Sequence, residues 1–247
     1  MDVSIIIPAY NEAAGVKQTA DALQPVLEKM RQEYNIEVVF VNDGSRDNTA
    51  ALLEEIYRDV PDVQIVSHES NLGMGAAIRT GFSHSRYEYI ITTDFDGTYS
   101  FDNIPLLLQQ LRDEQVDLVT ASPYHPHGQV EGVPGYRLLF SFGASLLYRL
   151  LLNWNIYTWT AVFRAYRRKL VETVPCESND FLINTELLVN AIRAGYRVSE
   201  FPTILRARTF GQSSIKVFRL TMRHLRFQLG LLWLKLTGRF LLKVASL

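Results

Sequence analysis

The chain has 247 residues, 47% hydrophobic and 21% charged, which fits one large α/β domain with an appendage and excludes disordered and collagen-like classes. A single cysteine, Cys176, excludes an internal disulfide framework and a cysteine-based zinc cluster, leaving a small packing residue near a loop. The net charge of −1 conceals an asymmetry: residues 1–200 carry 16 Lys/Arg against 26 Asp/Glu, whereas 201–247 carry nine Lys/Arg and no acid.

The apolar run Val3 to Ile7, stopped by Pro8, predicts a buried strand, and Ala13 to Arg31 a helix. Because the chain enters that strand at once, with Asp2 and no cationic leader, no signal peptide is read and a cytoplasmic catalytic face is expected. Strand Glu37 to Val41 ends at the turn-rich Asn42-Asp43-Gly44-Ser45. Helix Thr49 to Arg58, strand Val63 to Val66, helix Gly75 to Ser85 and strand Tyr89 to Thr93 continue the alternation. This pattern predicts an α/β fold with a mostly parallel sheet flanked by helices, whose ligands sit beyond the carboxyl ends of the strands. Three polar clusters fall there: Tyr10-Asn11-Glu12, Asn42-Asp43 and Asp94-Phe95-Asp96.

Beyond strand Asp117 to Ala121 lies a Pro/Gly/His-rich loop, 123–135, long enough to be functional. Residues 138–163 are strongly apolar, but Arg149 near the middle argues for one or two interfacial or buried helices over a membrane span. In the tail, Arg219, Arg223 and Arg226 recur at helical spacing, with Phe218, Met222, Leu225 and Leu229 on another face. Cations interleaved with Leu, Phe and Trp point to an anionic membrane surface and not to nucleic acid. The expected organisation is therefore a domain over 1–215 and a basic amphipathic segment over 216–247.

Asp94 and Asp96, two residues apart where the chain leaves a strand, can both reach one hard cation, and Gly97 permits the turn. Mg²⁺ or Mn²⁺ held by one or two carboxylates plus substrate phosphates is the usual arrangement at nucleotide sites. Asp47 reads as a helix N-cap. Asp43, on the ligand side, can accept hydrogen bonds from a base or ribose. Asn71-Leu72-Gly73-Met74-Gly75 is a strand-to-helix turn whose backbone can approach a ligand.

Taken together, Ile5-Ile6-Ile7-Pro8-Ala9-Tyr10-Asn11-Glu12, Val41-Asn42-Asp43-Gly44-Ser45-Arg46-Asp47-Asn48-Thr49, Asn71-Leu72-Gly73-Met74-Gly75-Ala76-Ala77, Thr93-Asp94-Phe95-Asp96-Gly97 and Phe163-Arg164-Ala165-Tyr166 resemble the family-2 glycosyltransferases of the dolichol-phosphate mannose synthase and polyprenyl-phosphate glycosyltransferase type. The motifs come in the family's order across residues 3 to about 216. The resemblance implies a GT-A fold with C-terminal amphipathic helices. It puts Pro8, Tyr10, Glu12 and Asp43 around the nucleotide, with Gly73 in the turn beside it, and Asp94 and Asp96 around metal and diphosphate. It also implies that Arg137, Ser141, Arg208 and Ser213 face phosphates. The acceptor half departs from the pattern: Pro123 stands where an arginine is common, Thr158 where an aspartate is, and Ser214 where a lysine is.

The implied reaction moves a hexose from a nucleotide-sugar donor, of GDP-mannose or UDP-glucose type, to a polyprenyl-phosphate acceptor with inversion. The residues agree with such an acceptor. A phosphate monoester is a dianion near neutrality and needs no general base, and no His base stands among the motifs: His125 and His127 read as solvent-exposed loop residues, and His68, His84 and His224 as surface or packing residues. Two alternatives stay open: a transferase with a soluble saccharide acceptor, using Glu186 or another acid as base, and a nucleotide-sugar-binding subunit of weakened turnover. The expected location is peripheral, on the membrane's cytoplasmic face.

Overall fold

The computed structural model describes residues 2–208, 210 and 217–241, with Arg137 and Val217 described by backbone alone. Strand β1 (Asp2–Ala9) passes through a short 3-10 turn (Ala13–Gly15) into α1 (Val16–Met30). Then come β2 (Asn35–Asn42), α2 (Thr49–Tyr57), β3 (Val63–Ser67), α3 (Met74–His84) and β4 (Tyr89–Thr92). Every element expected over this half is present, its ends within two residues of expectation once the 3-10 turn is counted with α1. The second half runs α4 (Asn103–Asp113), β5 (Leu118–Ser122), β6 (Gln129–Glu131), α5 (Gly135–Leu151), β7 (Arg164–Arg167), α6 (Arg168–Thr173), α7 (Leu182–Arg193), β8 (Val198–Pro202), β9 (Ile204–Arg206) and α8 (Val217–Leu236).

Seven strands form one sheet in the order β3-β2-β1-β4-β7-β5-β8, and β6 pairs with β9 in a small second one. In the large sheet only β7 runs antiparallel to its neighbours. Strand order reverses between β1 and β4, so a crevice opens beyond their carboxyl ends. The sheet is covered on both faces, which explains the unbroken apolar run of β1. Val3, Ile5 and Ile7 pack with Leu23 and Leu27 of α1 and with Leu107 and Leu111 of α4. Ile6 points the other way, toward Ala77 of α3 and Leu187 and Leu188 of α7.

The apolar stretch at 138–163 resolves into the single helix α5 followed by irregular chain. Leu139, Phe142 and Leu150 on α5 are exposed. No helix among the described residues is long and apolar enough to cross a membrane. Helix α8 packs along α5 and touches α7, burying His224, Gln228 and Leu231. The basic segment, as far as it is described, is thus part of the domain's packing. Its face of Phe218, Met222, Leu225 and Leu229 is turned outward, with Phe218 75% and Leu229 65% exposed.

Candidate active site

The loops leaving β1, β2 and β4 converge on one cavity of about 770 Å³. Pro8, Tyr10, Glu12, Asp43, Gly73, Asp94, Asp96, Ser141 and Arg208 all line it. Ser213 lies outside the described residues, and Arg137 is placed on α5 with its side chain outside them. Local bonds tie the loops together. Asn11 N–H donates to Ser45 Oγ and Arg46 N–H to Asn11 Oδ1. Asp47 lies one residue before the N-cap of α2, which is Asn48 and not Asp47 as expected, and accepts from Thr49 N–H and from Ala13 N–H.

At the cavity floor, Gly97 takes φ +63°, the left-handed turn that returns the chain after the two aspartates. Arg208 reaches across from beyond β9, donating from Nε to Asp96 Oδ2 at 2.5 Å and from Nη2 to Glu12 Oε1 at 2.6 Å. The other Glu12 oxygen, Oε2, is buried with no hydrogen-bond partner. Burial, then the neighbouring Asp96, pushes the Asp94 carboxyl up to about 8. Burial lifts Glu12 to about 7 against the pull of Arg208. Three carboxylates facing one guanidinium, one oxygen of them orphaned, make a cluster short of positive charge. Two aspartates with room for a phosphate-bearing ligand form the oxygen-rich donor set that a hard divalent cation takes. Among the described residues no group of three or more His, Cys, Asp or Glu could hold an ion alone, so substrate oxygens would have to complete the shell.

Asp43 sits differently from expectation. Its Oδ1 accepts from Leu72 N–H at 2.9 Å and faces His68 Nδ1 at 2.8 Å. Its Oδ2 accepts from Asn71 Nδ2 and Gly73 N–H, both at 2.8 Å. A carboxylate offers about four acceptor positions, and all four are taken. The residue therefore shapes the glycine-rich wall of the cavity, with no lone pair left for a base or ribose. His68 does not behave as a surface residue: it bridges Asp43 to Thr80 Oγ1 at 2.9 Å.

The glycines of that wall answer to protein as much as to ligand. A Cβ on Gly73 or Gly75 would strike the backbone oxygens of Asn179 and Ser178. Glu186 holds this 177–179 loop, accepting from the backbone N–H of Glu177 and Ser178 at 3.1 and 2.8 Å, which gives it a structural task in place of the base role weighed above.

A second cavity of about 360 Å³, mostly apolar, lies between α5 and α8 and is lined by Leu139, Phe140, Leu147 and Leu225 among others. The two cavities meet: Asp94, Thr98, Tyr124, Ser141, Phe181, Leu205 and Leu220 line both. Thr158 Oγ1, one of the departures from the family pattern, lies 2.9 Å from Ser122 Oγ. Glu200 on β8 fixes that turn through the N–H groups of Tyr157 and Thr158 at 2.9 and 2.8 Å. Fully buried Arg164 braces it from behind, donating to the Trp159 and Asn184 carbonyls. Glu200 and Arg164 had no assigned role in the sequence; an arginine directly after the apolar run Ala161 to Phe163, as Arg164 is, was the available signal.

The tail arginines require a correction. Arg219 and Arg223, expected to face a membrane, line the polar cavity, and Arg223 Nη1 pairs with Asp180 Oδ2 at 2.6 Å.

The model of the glycosyl transferase family 2 matches residues 4–174. Among curated proteins the chain is 31% identical over 218 residues to a polyprenol monophosphomannose synthase of Mycolicibacterium smegmatis, covering 85% of this chain and 80% of the relative. It is 28% identical over 221 residues to an undecaprenyl-phosphate mannosyltransferase of Micrococcus luteus, covering 87% and 88%. Among solved structures, the glucosyl-3-phosphoglycerate synthase of Mycobacterium tuberculosis, in complex with Mn²⁺, UDP-glucose and phosphoglyceric acid, aligns with a TM-score of 0.70 at 18% identity, over 93% of this chain and 80% of that one. The expected GT-A-type fold, a mostly parallel sheet flanked by helices, is the arrangement seen.

Proposed function

Since the chain belongs to glycosyl transferase family 2 and is a glycosyltransferase, we propose that it moves a hexose from a nucleotide-diphosphate sugar to a polyprenyl phosphate. Mannose from a GDP-mannose type of donor ranks ahead of glucose from a UDP-glucose type, because both curated relatives described above are named for mannose. The observation that carries the acceptor class is the meeting of the polar and apolar cavities at Asp94. A ligand with a charged head and a hydrocarbon tail fits that junction, whereas a soluble sugar would leave the apolar half unused.

Asp94 and Asp96 would hold Mg²⁺ or Mn²⁺ together with donor phosphates. When bound, such an ion neutralises the negative charge that develops as the nucleoside diphosphate departs. Pro8, Tyr10 and the Asp43-braced Gly73 turn shape the nucleotide's wall. Arg208, already seated between Asp96 and Glu12, supplies a fixed cation for the diphosphate; Arg137 is assigned the same duty, and Ser141 and Ser213 hydroxyl contacts to phosphate. The acceptor phosphate attacks as a dianion, so no side chain need remove a proton. Direct displacement inverts the anomeric centre. The outward apolar faces of α5 and α8, with Arg226 and Arg239, would rest the protein on the cytoplasmic face of an anionic membrane.

The test is transfer from GDP-mannose and UDP-glucose, with Mn²⁺, to undecaprenyl phosphate in detergent. Sugar should enter the organic phase with inverted configuration and with release of nucleoside diphosphate. Sugar delivered only to water, or only to soluble saccharides, would overturn the acceptor.

A further inference from the structure

Four described arginines line the polar cavity: Arg206, Arg208, Arg219 and Arg223. Three of them face carboxylates. Arg206 meets Glu131 at 3.2 Å, Arg208 meets Asp96 and Glu12, and Arg223 meets Asp180 at 2.6 Å. No ion-pair partner of Arg219 stands among the described residues. Arg219 also lies in the first turn of α8, which contains no acid. There the positive end of the helix dipole already disfavours a cation. Arg219 is exposed on the cavity wall, so its guanidinium is open to an incoming anion.

The neighbouring residue indicates which anion. Leu220 lines both cavities, as do Asp94 and Tyr124, so the first turn of α8 forms part of the junction between the polar and apolar spaces. The carboxylate cluster and Arg208 lie at the strand ends of β1 and β4, whereas Arg219 comes from α8, which together with α5 encloses the apolar cavity. A donor diphosphate belongs to the first of these places and a lipid head group to the second. Pro123, which lines the apolar cavity beside Tyr124, offers no charge from its own loop.

We propose that Arg219 is the binding residue for the phosphate monoester head of the acceptor, with a planar guanidinium suited to paired contacts with phosphate oxygens. Arg223, one turn further along, is the positioning residue: its ion pair with Asp180 holds this face of α8 toward the cavity. The proposal rests on the lipid-phosphate reading above and assigns a residue that the motifs of that reading do not include.

The experiment is equilibrium binding of farnesyl phosphate and of farnesol, both below their micelle concentrations, to the full chain by calorimetry, with no vesicles present. Wild type should bind the phosphate more tightly than the alcohol. Arg219→Gln should lose about tenfold in affinity for farnesyl phosphate, the scale of one charge-assisted contact, with farnesol and Mn²⁺-GDP binding unchanged. Arg219→Lys should recover part of the loss. Lys29→Gln, which removes the same charge from the exposed end of α1, should bind like wild type. Equal affinity of wild type for phosphate and alcohol, an unaltered affinity in Arg219→Gln, or a loss confined to GDP would each overturn the assignment. Intact phosphate discrimination without any sugar transfer would remove the acceptor reading and leave the phosphate site supported.

Discussion

The hydroxyl of Tyr148 and the Nδ1 of His224 lie 3.0 Å apart, both buried, in the seam where α8 packs on α5. Burial holds the imidazole down to about 4, against a smaller upward pull from Asp180. Between that value and the ordinary 6.5 of the unfolded chain, the unfolded state binds more protons than the folded one. Stability from this group is therefore full above about pH 6.5 and is lost as pH falls toward 4, on the order of 3 kcal/mol in all. Thermal melts of wild type and His224→Phe from pH 4 to 8 should show a shallower acid slope in the variant. Parallel curves would assign the acid sensitivity to other groups.

A second expectation concerns Asp43. Asp43→Asn turns one acceptor into an NH₂ group facing N–H donors, at a cost of roughly 1–3 kcal/mol. The melting temperature should fall by several degrees. Nucleoside diphosphate affinity should fall with it, because the Gly73 turn loses its brace. Weakened binding with unchanged stability would instead make Asp43 a direct nucleotide contact.

For the carboxylate pair, Asp96→Asn should keep the fold and lower the transfer rate by about 10²–10³, the usual scale for losing one electrostatic contact to developing charge. The extra thermal stabilisation that Mn²⁺ gives in the presence of GDP or UDP should vanish as well. Full activity in excess chelator would remove the metal from the reaction.

Membrane docking is tested on the outward face of α8, since two of the three tail arginines line the polar cavity. Leu229→Glu with a change of Trp233→Glu, Trp233 being exposed one turn further along the same helix, should abolish flotation of the protein with anionic liposomes while leaving nucleotide binding intact. High salt should weaken wild-type flotation without eliminating it, because basic residues contribute roughly 1 kcal/mol each through a screened field and the apolar face contributes independently of salt. Equal flotation of wild type and variant would show that this face is not the contact.

The donor half of the fold was legible in the sequence because β1, β2 and β4 are apolar runs buried on both faces that end at polar turns. Ile5, Ile6 and Ile7 together with Pro8 announce β1, and Asp94, Asp96 and Gly97 announce the end of β4. The later elements were harder to see. Strand β7 is only four residues long, Arg164 to Arg167, and carries an arginine at each end, so neither alternation nor an apolar run marks it. Helix α4 has the regular stripe Ile104, Leu107, Leu108 and Leu111, but lies in a segment read only for its neighbouring motifs. In the tail, helical spacing gave the right faces and the outward direction of the apolar one, but not the place of Arg219 and Arg223 on the cavity wall. The stripe of Phe218, Met222, Leu225 and Leu229 is exposed, and the polar His224 and Gln228 are buried, because Tyr148 of α5 meets His224 and the Ala144 carbonyl accepts from Gln228. Periodicity finds a helix's stripes; only the partner decides which one is covered.

The reversed direction of β7 has a consequence for how such a protein can diversify. Arg164, its first residue, pairs with Thr92 and Thr120 near the last residues of β4 and β5, so the chain arrives at the cavity rim before β7 and departs from the opposite edge. The segment 153–162 therefore approaches the rim as an entering loop, braced by Glu200 and Arg164 on its protein side. The loops after β1, β2 and β3 lie on the other side of the switch point, whereas the loop of Asp94 and Asp96 leaves β4, the neighbour of β7. A longer or exchanged entering loop would leave the register of β1, β2 and β3 untouched, so the rim before β7 is free to vary while the parallel half of the sheet keeps its pairing.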